Sequence, residues 1–262
     1  MSTANDRYER RSADLAEAVR AHPDLIGLVL LGSASDEAVA RRDEWSDHDF
    51  FALVRPGAGR SVRPDLSWLP DQDALVLTAR EGEIGFVAVY DDGHVMEFAV
   101  AEPDELVGAL VNEATVAVDD EDGTTAALVE RGRANAAAGD RIDVGNEARL
   151  VLVKLLIGVG RVRRGEVLVG GQFIRGWAVQ SLARALRGRF PQRSSDARDR
   201  IDALRRFELD FPDWAARIAD ALALPAEDTA RELFAIAREA LDDGGPGFPR
   251  AAADAVARRL GW

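Results

Sequence analysis

The apolar run Leu25–Leu31, LIGLVLL, passes directly into Gly32 and Ser33, and thirteen residues separate that pair from Asp47-His48-Asp49-Phe50. In an extended chain residues i and i+2 share a face, so Asp47 and Asp49 project together while His48 and Phe50 point the other way. Two carboxylates held side by side repel each other, and a divalent cation with oxygen ligands offsets that repulsion directly. A solvated strand end with two ordinary acids accounts for an isolated acid-x-acid pair equally well. Glu97 adds weight to the metal. It stands inside HVMEFAV, an otherwise apolar run, where a carboxylate is costly unless it is paired or binds a cation. A neighbouring strand that set it against Asp47 and Asp49 would complete a three-carboxylate cage for Mg²⁺. The alternative is an edge strand with Glu97 on its wet face. Asp91 and Asp92 are already explained by the turn they share with Gly93.

A second set of polar residues lies further along. Lys154 is the one lysine of the chain, and it sits in LVLVKLLIGVG. An ammonium among these apolar side chains loses hydration, a cost that a nearby anion offsets. Glu147, Lys154, Arg161 and Arg164 are separated by seven, seven and three residues, so they fall near one helical face. Glu147, two turns away, is one candidate partner for Lys154, and a bound anion is the other. Arg161, Arg164 and Glu166 read equally as a solvated face, and Arg205, Arg206, Phe207 and Glu208 read as surface. His48 and His94 flank the acids, but His48 belongs to the opposite strand face and is expected to pack rather than to ligate. Trp45 either shields the acids, stacks on a base, or simply packs.

The elements that must position these residues follow from periodicity. Residues 5–22 carry Leu15, Ala18 and Val19 at helical spacing and stop near His22 and Pro23. Residues 25–31, 49–54 and 74–78 read as buried strands. Residues 85–90 and 94–100, joined by Asp91-Asp92-Gly93, read as a hairpin. A strand at 115–118 and an Ala-rich helix at 124–138 complete the first half. From residue 143 onward the pattern is helix after helix: 146–164, 170–187, 196–206, 212–223, 226–242 and 249–260, with Gly or Pro at the breaks. The expected fold is α+β, a mixed sheet with helices over residues 1–140 followed by an all-helical domain over 141–262.

Composition bounds the function. With 262 residues the chain has ample core. The absence of cysteine excludes disulfides, a thiolate nucleophile and any metal site built on sulfur, leaving oxygen-loving ions. A net charge of −13 opposes a broad nucleic-acid surface. The charge is also uneven. Residues 1–140 hold 29 acids against 12 arginines, while residues 141–262 hold 17 acids against 21 basic residues. No apolar run is long enough to span a bilayer, and MSTANDRYERR lacks the apolar core of a signal peptide, so a cytoplasmic protein is expected. The three histidines all precede residue 95, so the helical half has no Arg-x4-His ribonuclease motif.

LGS at 31–33, SDHDF at 46–50 and MEF at 96–98 together resemble the polymerase-beta-like nucleotidyltransferases, and the small size and helical second half look like the antibiotic enzymes of the aminoglycoside and lincosamide type. The resemblance implies a catalytic domain followed by a helical substrate-binding domain. It implies that Gly32 lets backbone approach a triphosphate, that Ser33 offers its hydroxyl and N–H to phosphate, and that Asp47, Asp49 and Glu97 hold two Mg²⁺ ions and act in catalysis. An NTP, ATP by default, would give its nucleoside monophosphate to a hydroxyl of a small molecule and release pyrophosphate. Lys154 and Arg161 would add phosphate contacts. Two alternatives stay open: AMP transfer to a protein, and an NTP-binding regulatory module with weak catalysis. No nucleic-acid or membrane partner is expected, and the chain is a monomer or a homodimer.

Overall fold

The computed structural model describes residues 4–195, 198–244 and 247–262. The chain divides into two compact units, Met1–Ala138 and Gly139–Trp262. In the first, helix α1 (Ala4–Ala21) buries Tyr8, Leu15, Ala16 and Val19 along one stripe. Six strands form one sheet: β1 (Leu25–Leu31), β2 (His48–Val54), β3 (Leu75–Glu81), β4 (Gly85–Tyr90), β5 (Val95–Ala101) and β6 (Ala114–Val118). Their order is β3-β4-β5-β2-β1-β6, with β2 and β5 parallel and every other neighbouring pair antiparallel. The short helix α2 (Gly59–Val62) lies between β2 and β3, and α3 (Thr124–Gly139) follows β6.

Strand β1 is apolar throughout because both of its faces are covered. Leu28 and Leu30 share a cluster with Leu15 and Val19 of α1, whereas Val29 packs with Leu53, Ala101, Leu128 and Val129. The run at 74–78 departs from expectation. Residues 75–78 lie in β3, one of the two edge strands, and Val76 and Leu77 are 64% and 50% exposed. Periodicity alone does not separate an uncovered apolar edge from a buried strand. At Gly27 the constraint is steric, since a Cβ there would stand 2.1 Å from Thr125 Oγ1 of α3, itself buried without a hydrogen-bond partner. Gly27→Ala should lower stability by about 1–3 kcal/mol in denaturant unfolding, and adding Thr125→Ala should return most of the loss. A neutral Gly27→Ala would show that α3 yields at this point.

The second unit is helical: α4 (Val144–Arg163), α5 (Val167–Gly171), a π-helical stretch Gln172–Ala178, α6 (Val179–Arg189), α7 (Phe207–Asp210), α8 (Pro212–Leu222), α9 (Ala226–Leu241) and α10 (Arg250–Leu260). Asp143 caps α4 by accepting from the Asn146 N–H at 2.9 Å. Val151, Leu152, Leu155 and Val159 of α4 share one core with Leu182, Leu186 and Leu233. The backbones of α4 and α5 meet closely, because a Cβ on Gly158 would stand 3.1 Å from the Gly170 carbonyl oxygen.

The helix expected at 196–206 does not form. Residues 196–197 lie outside the described residues, and 198–206 are irregular. The Asp199 carboxylate accepts from the N–H groups of Ile201 and Asp202 at 2.8 and 3.1 Å, a local turn that competes with helix. Arg187 takes the Ala203 and Arg205 carbonyls at 2.8 and 3.3 Å, and Arg206 adopts a left-handed φ of 58°. The adjoining cluster is not plain surface either. Arg206 pairs with Asp199 at 3.3 Å, and Phe207 is buried and stacked on Phe211 at 4.9 Å. Among the described residues no helix is long and apolar enough to cross a membrane.

Candidate active site

The acids stand where the end of β1 meets the start of β2. Leu31 pairs with Asp49 across that antiparallel ladder, and in the parallel ladder Asp49 pairs with Glu97 of β5. Side chains of paired residues share a face, so Asp49 and Glu97 are cross-strand neighbours. Asp49 is half-buried and Glu97 exposed. β5 is an interior strand, so the wet position of Glu97 comes from an uncovered end of the sheet face and not from an edge. Further along the same face Phe51 and Leu53 are covered by the cluster that includes Leu106 and Leu128.

Gly32 opens a 3₁₀ turn (Gly32–Ala34) with φ +50°, a backbone state that favours glycine. A Cβ there would stand 3.3 Å from Asp49 Oδ2, so the turn runs against that carboxylate. Ser33 Oγ donates to the Asp47 carbonyl at 2.8 Å and approaches Asp47 Oδ1 at 3.2 Å. Its hydroxyl is therefore engaged inside the chain, where the resemblance implied a phosphate ligand. Gly32 and Ser33 thus touch both members of the acid-x-acid pair.

The three acids offer only carboxylate oxygens, the donor type that Mg²⁺ takes, and Asp49 and Glu97 are paired across β2 and β5. They fit such an ion by donor chemistry. They do not form a closed cage, since among the described residues no three His, Asp or Glu side chains are gathered so as to hold a metal ion.

A polar cluster behind the acids went unread in the sequence. The His48 ring is fully buried, as its strand parity requires, and stacks on Tyr8 with ring centroids 3.9 Å apart. Its Nε2 lies 2.8 Å from Ser12 Oγ and its Nδ1 2.7 Å from His94 Nε2. Ser12 Oγ donates to the Tyr8 carbonyl at 3.3 Å. Ser12, His48 and His94 thus form one continuous chain of hydrogen bonds, in which the ring tautomers set which atom donates. Burial above all, with His94 and Arg42 adding to it, pushes the His48 pKa down to about 2; burial and Arg11 push His94 the same way. Both rings are neutral near neutral pH. Tyr8, Ser12, Leu15 and Val19 lie four, three and four residues apart, so helical periodicity already placed Tyr8 and Ser12 on the buried stripe. What they would meet there had no sequence signal. A cavity of about 500 Å³ adjoins the cluster, lined by Tyr8, Arg11, Trp45, Asp47, Asp92 and His94. Trp45 is 86% exposed and is not a packing residue.

In the helical unit, half-buried Lys154 donates to Ser181 Oγ at 2.9 Å and to the Trp177 carbonyl of the π-helical stretch at 3.3 Å. Glu147 is not its partner, because that carboxylate binds Arg184 at 2.9 Å. Arg161 and Arg164 both pair with Glu166, at 2.5 and 3.1 Å. These hydrogen bonds hold the Glu166 carboxyl below its usual range.

No protein-family model and no curated protein matches the chain. Among solved structures it is similar to a nucleotidyltransferase-like protein from Exiguobacterium sibiricum 255-15, at 13% identity and a TM-score of 0.38 over 91% of this chain and 77% of that one. It is also similar to an aminoglycoside 6-adenyltransferase from Bacillus subtilis, at 12% identity and a TM-score of 0.27 over 97% and 92% of the two chains. At such scores neither likeness decides a function, which rests on the residues themselves.

Proposed function

We propose that the chain is a metal-dependent nucleotidyltransferase, moving AMP from ATP to a hydroxyl group of a small molecule, with aminoglycoside- or lincosamide-like compounds as the acceptor class to test first. The observation that carries this reading is the pairing of Asp49 with Glu97 across β2 and β5, beside a Gly32-Ser33 turn that touches both Asp47 and Asp49. Asp47, Asp49 and Glu97 would hold Mg²⁺, which when bound neutralises phosphate charge and lowers the pKa of the attacking hydroxyl. Gly32, without a side chain, leaves room beside Asp49 for a phosphate. Ser33 fixes the Asp47 peptide. The acceptor oxygen forms its bond to the α-phosphorus as the bond to pyrophosphate breaks, and the acceptor's proton passes to a neighbouring carboxylate or to solvent. Pyrophosphate release from ATP and Mg²⁺ in the presence of an acceptor panel, with mass spectrometry of the acceptor, tests it. A mass gain on a protein instead would favour the protein-modifying alternative.

The open arrangement of the acids and the engaged Ser33 hydroxyl favour a second reading, an NTP-binding module of weak catalysis. ATP binding without pyrophosphate release under any acceptor would establish it.

Lys154 and Arg161 are assigned to the donor phosphates. Two of the three Lys154 ammonium protons are accounted for by Ser181 and Trp177, which leaves one for a phosphate oxygen. A phosphate at Arg161 must compete with Glu166. Lys154→Ala should therefore raise the donor KM by roughly tenfold, about 1.4 kcal/mol, with a smaller change in acceptor KM. Normal NTP binding with a melting point several degrees lower would make Lys154 a support for the π-helical stretch and remove it from the site.

A further inference from the structure

We infer that Tyr8 is a positioning residue for Asp47, holding the acid-x-acid segment in register with the Gly32-Ser33 turn. This rests on the nucleotidyltransferase reading, and it concerns a helix that none of the motifs includes. The Tyr8 hydroxyl donates to the Asp47 carbonyl at 2.5 Å, and Ser33 Oγ donates to the same oxygen at 2.8 Å. A carbonyl oxygen has two lone pairs, so both are taken, one by the N-terminal helix and one by the turn that follows β1. The Asp47 peptide is thereby pinned from two sides just before β2 begins, at the point where the ladder to β1 no longer restrains it.

The rest of the surroundings hold Tyr8 itself. Its ring is buried, with His48 stacked on one side and the Arg42 guanidinium 4.2 Å from its centroid. Arg42 reaches back through Nε to the Ser33 carbonyl at 3.0 Å and pairs with Glu9 of α1. Helix, turn and acid segment are thus joined in one closed set of contacts. The oxygen that this hydroxyl shares with Ser33 Oγ ties α1 directly to the segment that carries Asp47.

Tyr8→Phe keeps the ring, the stack and the Arg42 contact, and deletes only the donor. The experiment measures Mn²⁺ binding by the wild type and by Tyr8→Phe using electron paramagnetic resonance, alongside pyrophosphate release and thermal melting. The expected result is a roughly tenfold weaker Mn²⁺ affinity and a comparable fall in kcat, with acceptor KM unchanged and a melting point within a few degrees of the wild type. Ser12→Ala, which loosens the same helix through Tyr8 and His48 without touching Asp47, should leave Mn²⁺ affinity unaltered. Wild-type Mn²⁺ affinity in Tyr8→Phe, or an equal loss in both variants, overturns the inference and makes Tyr8 a packing residue. A wild-type chain that binds no Mn²⁺ overturns the nucleotidyltransferase reading itself, and the inference with it.

Discussion

Asp47→Asn and Asp49→Asn should each reduce Mg²⁺-dependent pyrophosphate release by more than about a thousandfold, roughly 4 kcal/mol of barrier, while the fold survives. The size follows from charge. Asparagine keeps the shape and one oxygen but removes the negative charge that a divalent ion requires, and the phosphates then lose their counter-charge. The fold should survive because neither side chain belongs to the core: Asp47 and Asp49 are half-buried at a strand end, whereas the packing of β2 comes from Phe50 to Val54 on its two faces. Asp47→Asn retains its carbonyl and hence the bonds from Tyr8 and Ser33, which separates loss of charge from loss of position. Near wild-type turnover in either variant would sink the metal-dependent mechanism.

The largest effect on stability is expected in the helical unit, from Asp210→Ala. Arg187 and Asp210 form an ion pair at 2.5 Å with side-chain exposures of 1% and 0%. Asp210 also accepts from the Ser195 N–H at 2.7 Å, and Arg187 stands over the rings of Phe207 and Phe211. Alanine at 210 leaves a guanidinium charge buried without its counter-ion, at a cost of about 3–5 kcal/mol in denaturant unfolding. Burial works against ionisation of Asp210, but the hydrogen bonds from Arg187 and Ser195 more than offset it and hold its pKa below the usual carboxylate value. The contribution is therefore fully present above about pH 4, the unfolded value, and is lost as the pH falls through the lower folded-state value. The wild type should lose stability over that acid range, and Asp210→Ala should show less of this dependence. A loss under 1 kcal/mol would mean that water reaches Arg187 on small adjustments of the chain between residues 198 and 206.

Strand β1, the hairpin of β4 and β5, and the long helices α4 and α9 were legible in the sequence because their hydrophobic pattern repeats over many residues and local turns end them. The acid-x-acid pair was legible for a similar reason, since residues two apart in a strand share a face whatever surrounds them. An apolar run looks the same whether it is covered or not, so residues 74–78 read as a buried strand, whereas the sheet order puts β3 at an edge. Over 198–206 the expected helix is absent because Asp199 and Arg187 take backbone groups that a helix needs, and Arg187 lies 16 residues from Ala203, whose carbonyl it holds.

The sequence by itself determined the residue types at the site, the parity that sets Asp47 and Asp49 against His48, and the division into an acidic α+β half and a helical half, since all of these depend on spacing and composition along the chain. Only the tertiary structure decided that Glu97 is the cross-strand neighbour of Asp49, that Lys154 is held by Ser181 and Trp177 with Glu147 turned to Arg184, and that Tyr8 and Ser33 share the Asp47 carbonyl. Each of these joins residues 14 to 48 positions apart. Strand register and helix docking bring them together, and those are chosen by which apolar faces bury most completely, a property of the whole packed chain to which no short stretch holds the answer.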